Sequence, residues 1–179
     1  GKVGTAVVGA DELSSASARQ WRDSAEAKVQ SWEVLAARVE EWRQSGCSIG
    51  FTNGCFDLLH PGHVSLLQQA KAVCDRLIVG LNSDDSVRRL KGSNRPVNPL
   101  AKRIADLSSV EPVGHIVVFE EDTPEALLTA LEPDILVKGA DYKRDEIVGR
   151  DIVERGGGRV ETVPYVAGKS TTRKSASSS

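Results

Sequence analysis

The stretch 52-TNGCFDLLHPGHVSLL-67 concentrates the residues best suited to chemistry, with His60 and His63 on either side of Pro61-Gly62 where an apolar run gives way to a helical pattern. Gly62 lacks a Cβ, so backbone N–H groups there could approach an anion closely. A helix starting at this point aims its unpaired N–H groups and the positive end of its dipole at one spot. Two imidazoles beside that spot could donate hydrogen bonds to oxygens on which charge builds up in phosphoryl or nucleotidyl transfer. Seen alone, one core and one surface histidine around a turn would account for the same residues equally well. The spacing is not that of a HExxH zinc site and no third ligand stands near it, which disfavours a metalloprotease.

More groups of the same kind follow. Lys91 lies in the basic stretch 88-RRLKGSNRP-96 with Arg88, Arg89 and Arg95, and Arg103 closes NPLAKR. A fixed positive charge there would offset the crowding of phosphate oxygens. For Arg88, Arg89 and Lys102 a solvated surface charge is the preferred reading. Gly139 and Asp141 sit in VKGADY, and Ser170, Thr171, Thr172 and Arg173 form a hydroxyl-rich STTR. Seen alone, STTR is also compatible with an ordinary helix cap.

These groups need elements to bring them together. Trp32, Leu35, Ala36, Val39 and Trp42 recur at helical spacing over 31–45, with Gly46 as a stop. Cys47 to Thr52 reads as a short buried strand ending at Asn53-Gly54, and Gly62 to Cys74 as a helix. Arg76 to Asn82 is a strand, followed by a short helix capped around Ser83-Asp84 and running to Leu90. The loop KGSNRPVN leads to a helix with Pro99 in its first turn. His115 to Phe119 is a strand, Thr123 an N-cap, Asp134 to Lys138 a strand, 144–155 a helical segment, and Arg159 to Val163 the last strand. Five short apolar strands alternating with helices predict an α/β, Rossmann-like, doubly wound parallel sheet. Ligands of such sheets bind beyond the C-terminal strand ends, where strand order reverses. TNGCFD, LNSDDS, FEEDTP and VKGADY all follow predicted strands, so they should gather at one rim.

Bulk composition removes several classes. The 179 residues carry 23 basic and 25 acidic side chains, net −2, so no global field favours nucleic acid or an anionic membrane. No apolar run approaches the ~20 residues of a membrane span. The three cysteines, Cys47, Cys55 and Cys74, lack metal-type spacing and read as reduced thiols of a cytoplasmic protein. Methionine is absent, and the expectation is that this sequence begins inside a longer reading frame.

The ordered set TNGCFDLLHPGHVSLL, LIVGLNSDDSVRRLKGSNRPVNPLAKR, FEEDTP, DILVKGADY and STTR resembles the HxGH nucleotidyltransferase superfamily. Within it, the set is most similar to the adenylyltransferase domain of bacterial bifunctional ADP-heptose synthases, over roughly residues 45–173. The resemblance implies the nucleotidyltransferase (HUP-type) fold and AMP transfer from ATP to D-glycero-β-D-manno-heptose 1-phosphate. Mg²⁺ would be carried with ATP and no protein metal site is implied. It also implies roles: His60, His63 and Lys91 catalytic; Thr52, Asn53, Gly54, Phe56, Asp57, Gly62, Arg103, Gly139, Asp141, Ser170, Thr171 and Thr172 at the nucleotide. Asp57 fits the holding of its loop better than chemistry. By the same resemblance, residues 1–30 are the end of a sugar kinase domain plus a linker and 31–173 the nucleotidyltransferase domain, while the polar, low-complexity 174–179 read as a disordered tail. The expected partners are ATP and a sugar 1-phosphate, with a fused kinase and room for a homo-oligomer. A CTP-dependent enzyme acting on glycerol 3-phosphate or another polyol phosphate, or an inactive nucleotide-binding module, stays open. Two departures stand out: KSASSS replaces an apolar helix after STTR, and Val113-Gly114 stands where Val-Asp is usual, with Glu111 a candidate substitute.

Overall fold

The computed structural model describes residues 28–140, 143 and 146–164. The elements in chain order are α1 (Trp32–Gln44), β1 (Ile49–Gly54), α2 (Pro61–Ala72), β2 (Arg76–Asn82), α3 (Asp84–Lys91), α4 (Leu100–Ser108), β3 (His115–Phe119), α5 (Glu125–Leu131), β4 (Ile135–Gly139), α6 (Arg150–Arg155) and β5 (Arg159–Val163). The five strands form one sheet in the order β3-β2-β1-β4-β5, and every pairing is parallel. The doubly wound reading therefore holds.

The strands read as apolar runs because both faces are covered. Successive residues of a strand point to opposite faces, and the core divides accordingly. Phe51, Ile78, Val117, Leu136 and Val160 join α1, α5 and α6 through Leu35, Val39, Leu127, Leu128, Leu131 and Val153. Leu77, Val79, Leu81, Ile116, Val137 and Val163 join α2 and α4 through Leu66, Leu67, Ala70 and Leu107. From β1 the chain winds outward through β2 and β3, then returns to β4 on the other side of β1. Strand order thus reverses between the C-terminal ends of β1 and β4, at Asn53-Gly54 and Lys138-Gly139, where Lys138 Nζ donates to the Asn53 carbonyl at 3.4 Å.

Several boundaries move for identifiable reasons. β1 starts and ends two residues later than expected: Asp75 and Ser48 tie the entry together, the Asp134 carboxylate takes Ile49 N at 2.8 Å, and the ladder to β2 runs through Gly54↔Leu81. The turn residues Asn53-Gly54 are therefore inside the strand. At α5 the cap position belongs to Pro124 with no side-chain cap bond, while Thr123 Oγ1 only reaches Glu125 N at 3.5 Å. Pro99 likewise occupies the cap position of α4 rather than its first turn. Packing begins before residue 31, because Val29 bridges Ile116 and Lys28 Nζ donates to the Ser108 carbonyl at 2.7 Å.

The helix expected over 144–155 is confined to Arg150–Arg155 by Gly149, whose φ of 95° lies in the left-handed region. A Cβ there would fall 2.2 Å from Leu128 Cδ1. Gly149→Ala should cost on the order of 3 kcal/mol through backbone strain plus overpacking, read as a lowered urea midpoint with an unchanged slope.

Candidate active site

Pro61 has the fixed φ suited to the first position of a helix, so α2 begins there, and His60 is the extended N-cap residue. His60 Nδ1 accepts from Gly62 N at 3.1 Å, and His63 Nδ1 accepts from His60 N at 3.3 Å. This is a reciprocal capping box made by two imidazoles in place of the usual hydroxyl and carboxylate. The rings stack with centroids 3.8 Å apart and planes 28° apart, and Phe56 supports His63 from 5.2 Å. His63 is buried and His60 exposed.

Burial pushes both imidazoles below their ordinary range. His63 is pushed down to about 4, chiefly by burial, with the positive charges of His60 and Lys91 acting in the same direction and the Leu58 carbonyl opposing. His60 is lowered by burial. Both rings are thus neutral at pH 7, and a neutral ring whose Nδ1 accepts carries its proton on Nε2. The caps favour the Nε2–H tautomer and set two imidazoles beside one helix start, with the Leu58 carbonyl as a further partner of the His63 ring.

The first backbone N–H groups of α2 already have partners. Pro61 has no N–H, Gly62 N is taken by His60, and both His63 N and Val64 N donate to the His60 carbonyl. The donors at this helix start are the rings.

The other expected residues fall in four places. Thr52, Asn53 and Gly54 end β1, and Gly139 ends β4, so these meet at the reversal of strand order. Thr52 Oγ1 and Asn53 Oδ1 are buried and make no hydrogen bond among the described residues. Such orphan atoms are uncommon and each calls for a partner. Lys91 ends α3 and lies near enough to His63 and to Cys55 to act electrostatically on both. Asp141, Ser170, Thr171 and Thr172 lie outside the described residues.

Arg103 and Asp57 form the last set. Arg103, expected at a phosphate, is fully buried. Its Nη1 donates to the carbonyls of Cys55 (2.9 Å) and Asn82 (2.7 Å), its Nε to that of Asn98 (3.0 Å), and its Nη2 to the Asp84 carboxylate (2.6 Å). The guanidinium serves the frame of the site. Asp57 accepts from Val97 N and Arg95 Nε on one oxygen and from Asn98 N on the other, each at 2.8 Å. These bonds hold its carboxyl below the usual carboxylate range against the opposing effect of burial. Asn98 was missed by the sequence reading. Its only sequence signal is a place before Pro99, which marks a turn without naming the carboxylate that organises it.

A pH prediction follows from the histidines. His63 in the site and His115 at the start of β3 are both lowered from 6.5 to about 4, mainly by burial. Between these values the unfolded chain binds protons that the folded chain does not, so folding stability is full above pH 6.5 and falls as pH drops toward about 4. The loss is on the order of 3 kcal/mol for each histidine. Urea titrations at neutral and mildly acidic pH should show it, and His115→Asn should remove roughly half of it.

The cytidylyltransferase-like family profile matches residues 51–178. The chain is 57% identical over 172 residues to the bifunctional protein HldE of Acidiphilium cryptum and 56% identical over 173 residues to that of Mesorhizobium japonicum. In each case the match covers 96% of this chain and 35% of the relative, so the chain spans about a third of the length of these relatives. Among solved structures, a lipopolysaccharide core biosynthesis protein from Thermoplasma volcanium aligns with TM-score 0.57 and 26% identity, covering 69% of this chain and 100% of that one. A pantoate-beta-alanine ligase from Francisella tularensis, at TM-score 0.53 and 16% identity over 76% of this chain and 66% of its own, shares the fold.

Proposed function

Given that this chain belongs to the cytidylyltransferase-like family, we propose that it transfers AMP from MgATP to D-glycero-β-D-manno-heptose 1-phosphate, yielding ADP-heptose and pyrophosphate. One observation carries the transferase reading: the stacked, mutually capping imidazole pair at the start of α2, with Lys91 near His63. The choice of nucleotide and sugar rests on the motif resemblance together with the 57% identity to a bifunctional HldE protein.

The sugar phosphate oxygen attacks the α-phosphorus in line, the bond to the bridging oxygen breaks, and pyrophosphate leaves. Near neutral pH the attacking oxygen is already ionised, so no general base is required. The protein contributes positioning and charge stabilisation. His60 and His63 donate to phosphate oxygens as charge builds on them, and Lys91 places a cation beside the same oxygens. Neutral donors suit this role because they keep their protons across the physiological range. On the motif resemblance, Thr52, Asn53, Gly54, Phe56, Gly62 and Gly139 contact the nucleotide, and the same resemblance assigns Asp141, Ser170, Thr171 and Thr172 to it. Mg²⁺ enters as part of the MgATP substrate. Among the described residues there is no group of three or more His, Cys, Asp or Glu side chains placed to hold an ion. The reaction belongs to lipopolysaccharide core precursor synthesis in the cytoplasm, within a longer protein that also carries a sugar kinase.

Pyrophosphate release tests the proposal. ATP with heptose 1-phosphate should turn over well above ATP with glycerol 3-phosphate and above CTP with either acceptor. Preferential turnover of CTP with glycerol 3-phosphate would replace this reading with a cytidylyltransferase, and binding of ATP without turnover would leave a nucleotide-binding module.

A further inference from the structure

Two buried charges of opposite sign hold both ends of the segment that carries Lys91. α3 begins at Asp84, whose carboxylate takes Arg103 Nη2 at 2.6 Å, and ends at Lys91. The chain then turns at Gly92, whose φ of 113° suits glycine alone. It runs back to the loop after β1, where Asp57 collects Arg95 Nε, Val97 N and Asn98 N. Asn98 Nδ2 donates to the Asp57 carbonyl at 2.6 Å, and Arg103 Nε donates to the Asn98 carbonyl at 3.0 Å. Arg103 Nη1 also reaches the Cys55 carbonyl at 2.9 Å, next to Phe56 beneath the imidazoles, and so closes the circuit.

We propose that Asp57 and Arg103 are positioning residues that act through this closed circuit to place the Lys91 ammonium beside the His60–His63 pair. Neither is available to substrate. The Asp57 side chain is 2% exposed with both oxygens engaged, and Arg103 is 0% exposed with Nε, Nη1 and Nη2 all bonded. Lys91, by contrast, sits at the last position of an eight-residue helix on a flexible four-carbon stem. A helix this short has little stability of its own, and a lysine loses considerable rotamer entropy when it is held. Its placement must therefore come from tertiary anchors, and the circuit supplies one on each side.

The kinetic part of the test rests on the transferase reading; the placement part does not. In the full chain, Lys91→Met, Asp57→Asn, Asn98→Ala and the Asp57→Asn/Lys91→Met double variant are compared. Asp57→Asn sets an amide donor against N–H donors, and Asn98→Ala loosens the loop without unpairing a buried charge, so it serves if the first variant does not fold. NMR titration of the His63 ring reads placement without any substrate. Lys91→Met should raise its pKa by several tenths of a unit, and Asp57→Asn and Asn98→Ala should each shift it in the same direction. A His63 titration that does not respond to Lys91→Met, or responds to it and not to the circuit variants, overturns the proposal. In turnover, Asp57→Asn should lower kcat about tenfold or more in the parent and under about twofold in the Lys91→Met background. An equal loss in both backgrounds assigns Asp57 a merely structural role and overturns the proposal. If the parent shows no turnover at all, the transferase reading fails and the His63 titration alone decides this one.

Discussion

His63→Ala should lower kcat for pyrophosphate formation by about 10²–10³-fold, the effect of deleting one preorganised donor from a site of developing charge. The residue is buried, stacks on His60 at 3.8 Å and packs on Phe56, so alanine also loosens the start of α2. His60 separates the two consequences. Its Nδ1 caps Gly62 N, and asparagine is among the strongest N-cap residues. His60→Asn should therefore keep a thermal midpoint near that of the parent while turnover falls by a factor comparable to that for His63→Ala. His60→Ala, which removes the cap as well, should lose about 1 kcal/mol of stability in addition. The decisive comparison is kcat against thermal midpoint for the asparagine and alanine variants of His60. If His60→Asn turns over like the parent, the imidazole is a cap and nothing more, and the proposed transition-state role is wrong.

The largest loss of stability should come from Arg103→Ala, about 4 kcal/mol by urea denaturation. A fully buried guanidinium is tolerable only when its donors are matched, and here they meet three carbonyls and one carboxylate from three separate segments. Deleting it leaves the Cys55, Asn82 and Asn98 carbonyls short of a donor, releases Asp84 and opens a cavity. Arg103→Lys keeps the charge but not the fork, and one ammonium cannot serve partners spread around a planar guanidinium. It should recover only part of the loss. A lysine variant as stable as the parent would mean that charge, and not the geometry of the fork, is what the frame requires.

Legibility in the sequence varied with the range of the interaction that decided each feature. Strand positions in β2, β3 and β5 were readable because a run such as Leu77-Ile-Val is dictated by burial on both faces, a local and redundant signal. The end of β1 was not, since Asn53-Gly54 looks like a turn until Leu81 pairs with it across the sheet. The pairing of the imidazoles at a helix start was readable because His60 and His63 lie within four residues of one another. Their tautomers were not, because they depend on which atoms the backbone of one helix start presents. Arg103 shows the opposite limit. A basic residue before an apolar helix face looks like a solvent or ligand contact, and only the arrival of Cys55, Asn82, Asp84 and Asn98 around it makes it a buried strut.

By itself, the sequence determined the doubly wound parallel sheet, the rim at which the motifs gather and the chemical character of that rim, because periodicity and local spacing encode these directly. The tertiary structure alone decided how the charges are used. The two histidines became a mutually capping pair through burial, and Asp57 and Arg103 were drawn inward to tie the loop that follows Lys91. A charge's role depends on what surrounds it in space, and those surroundings are assembled from segments far apart in the chain.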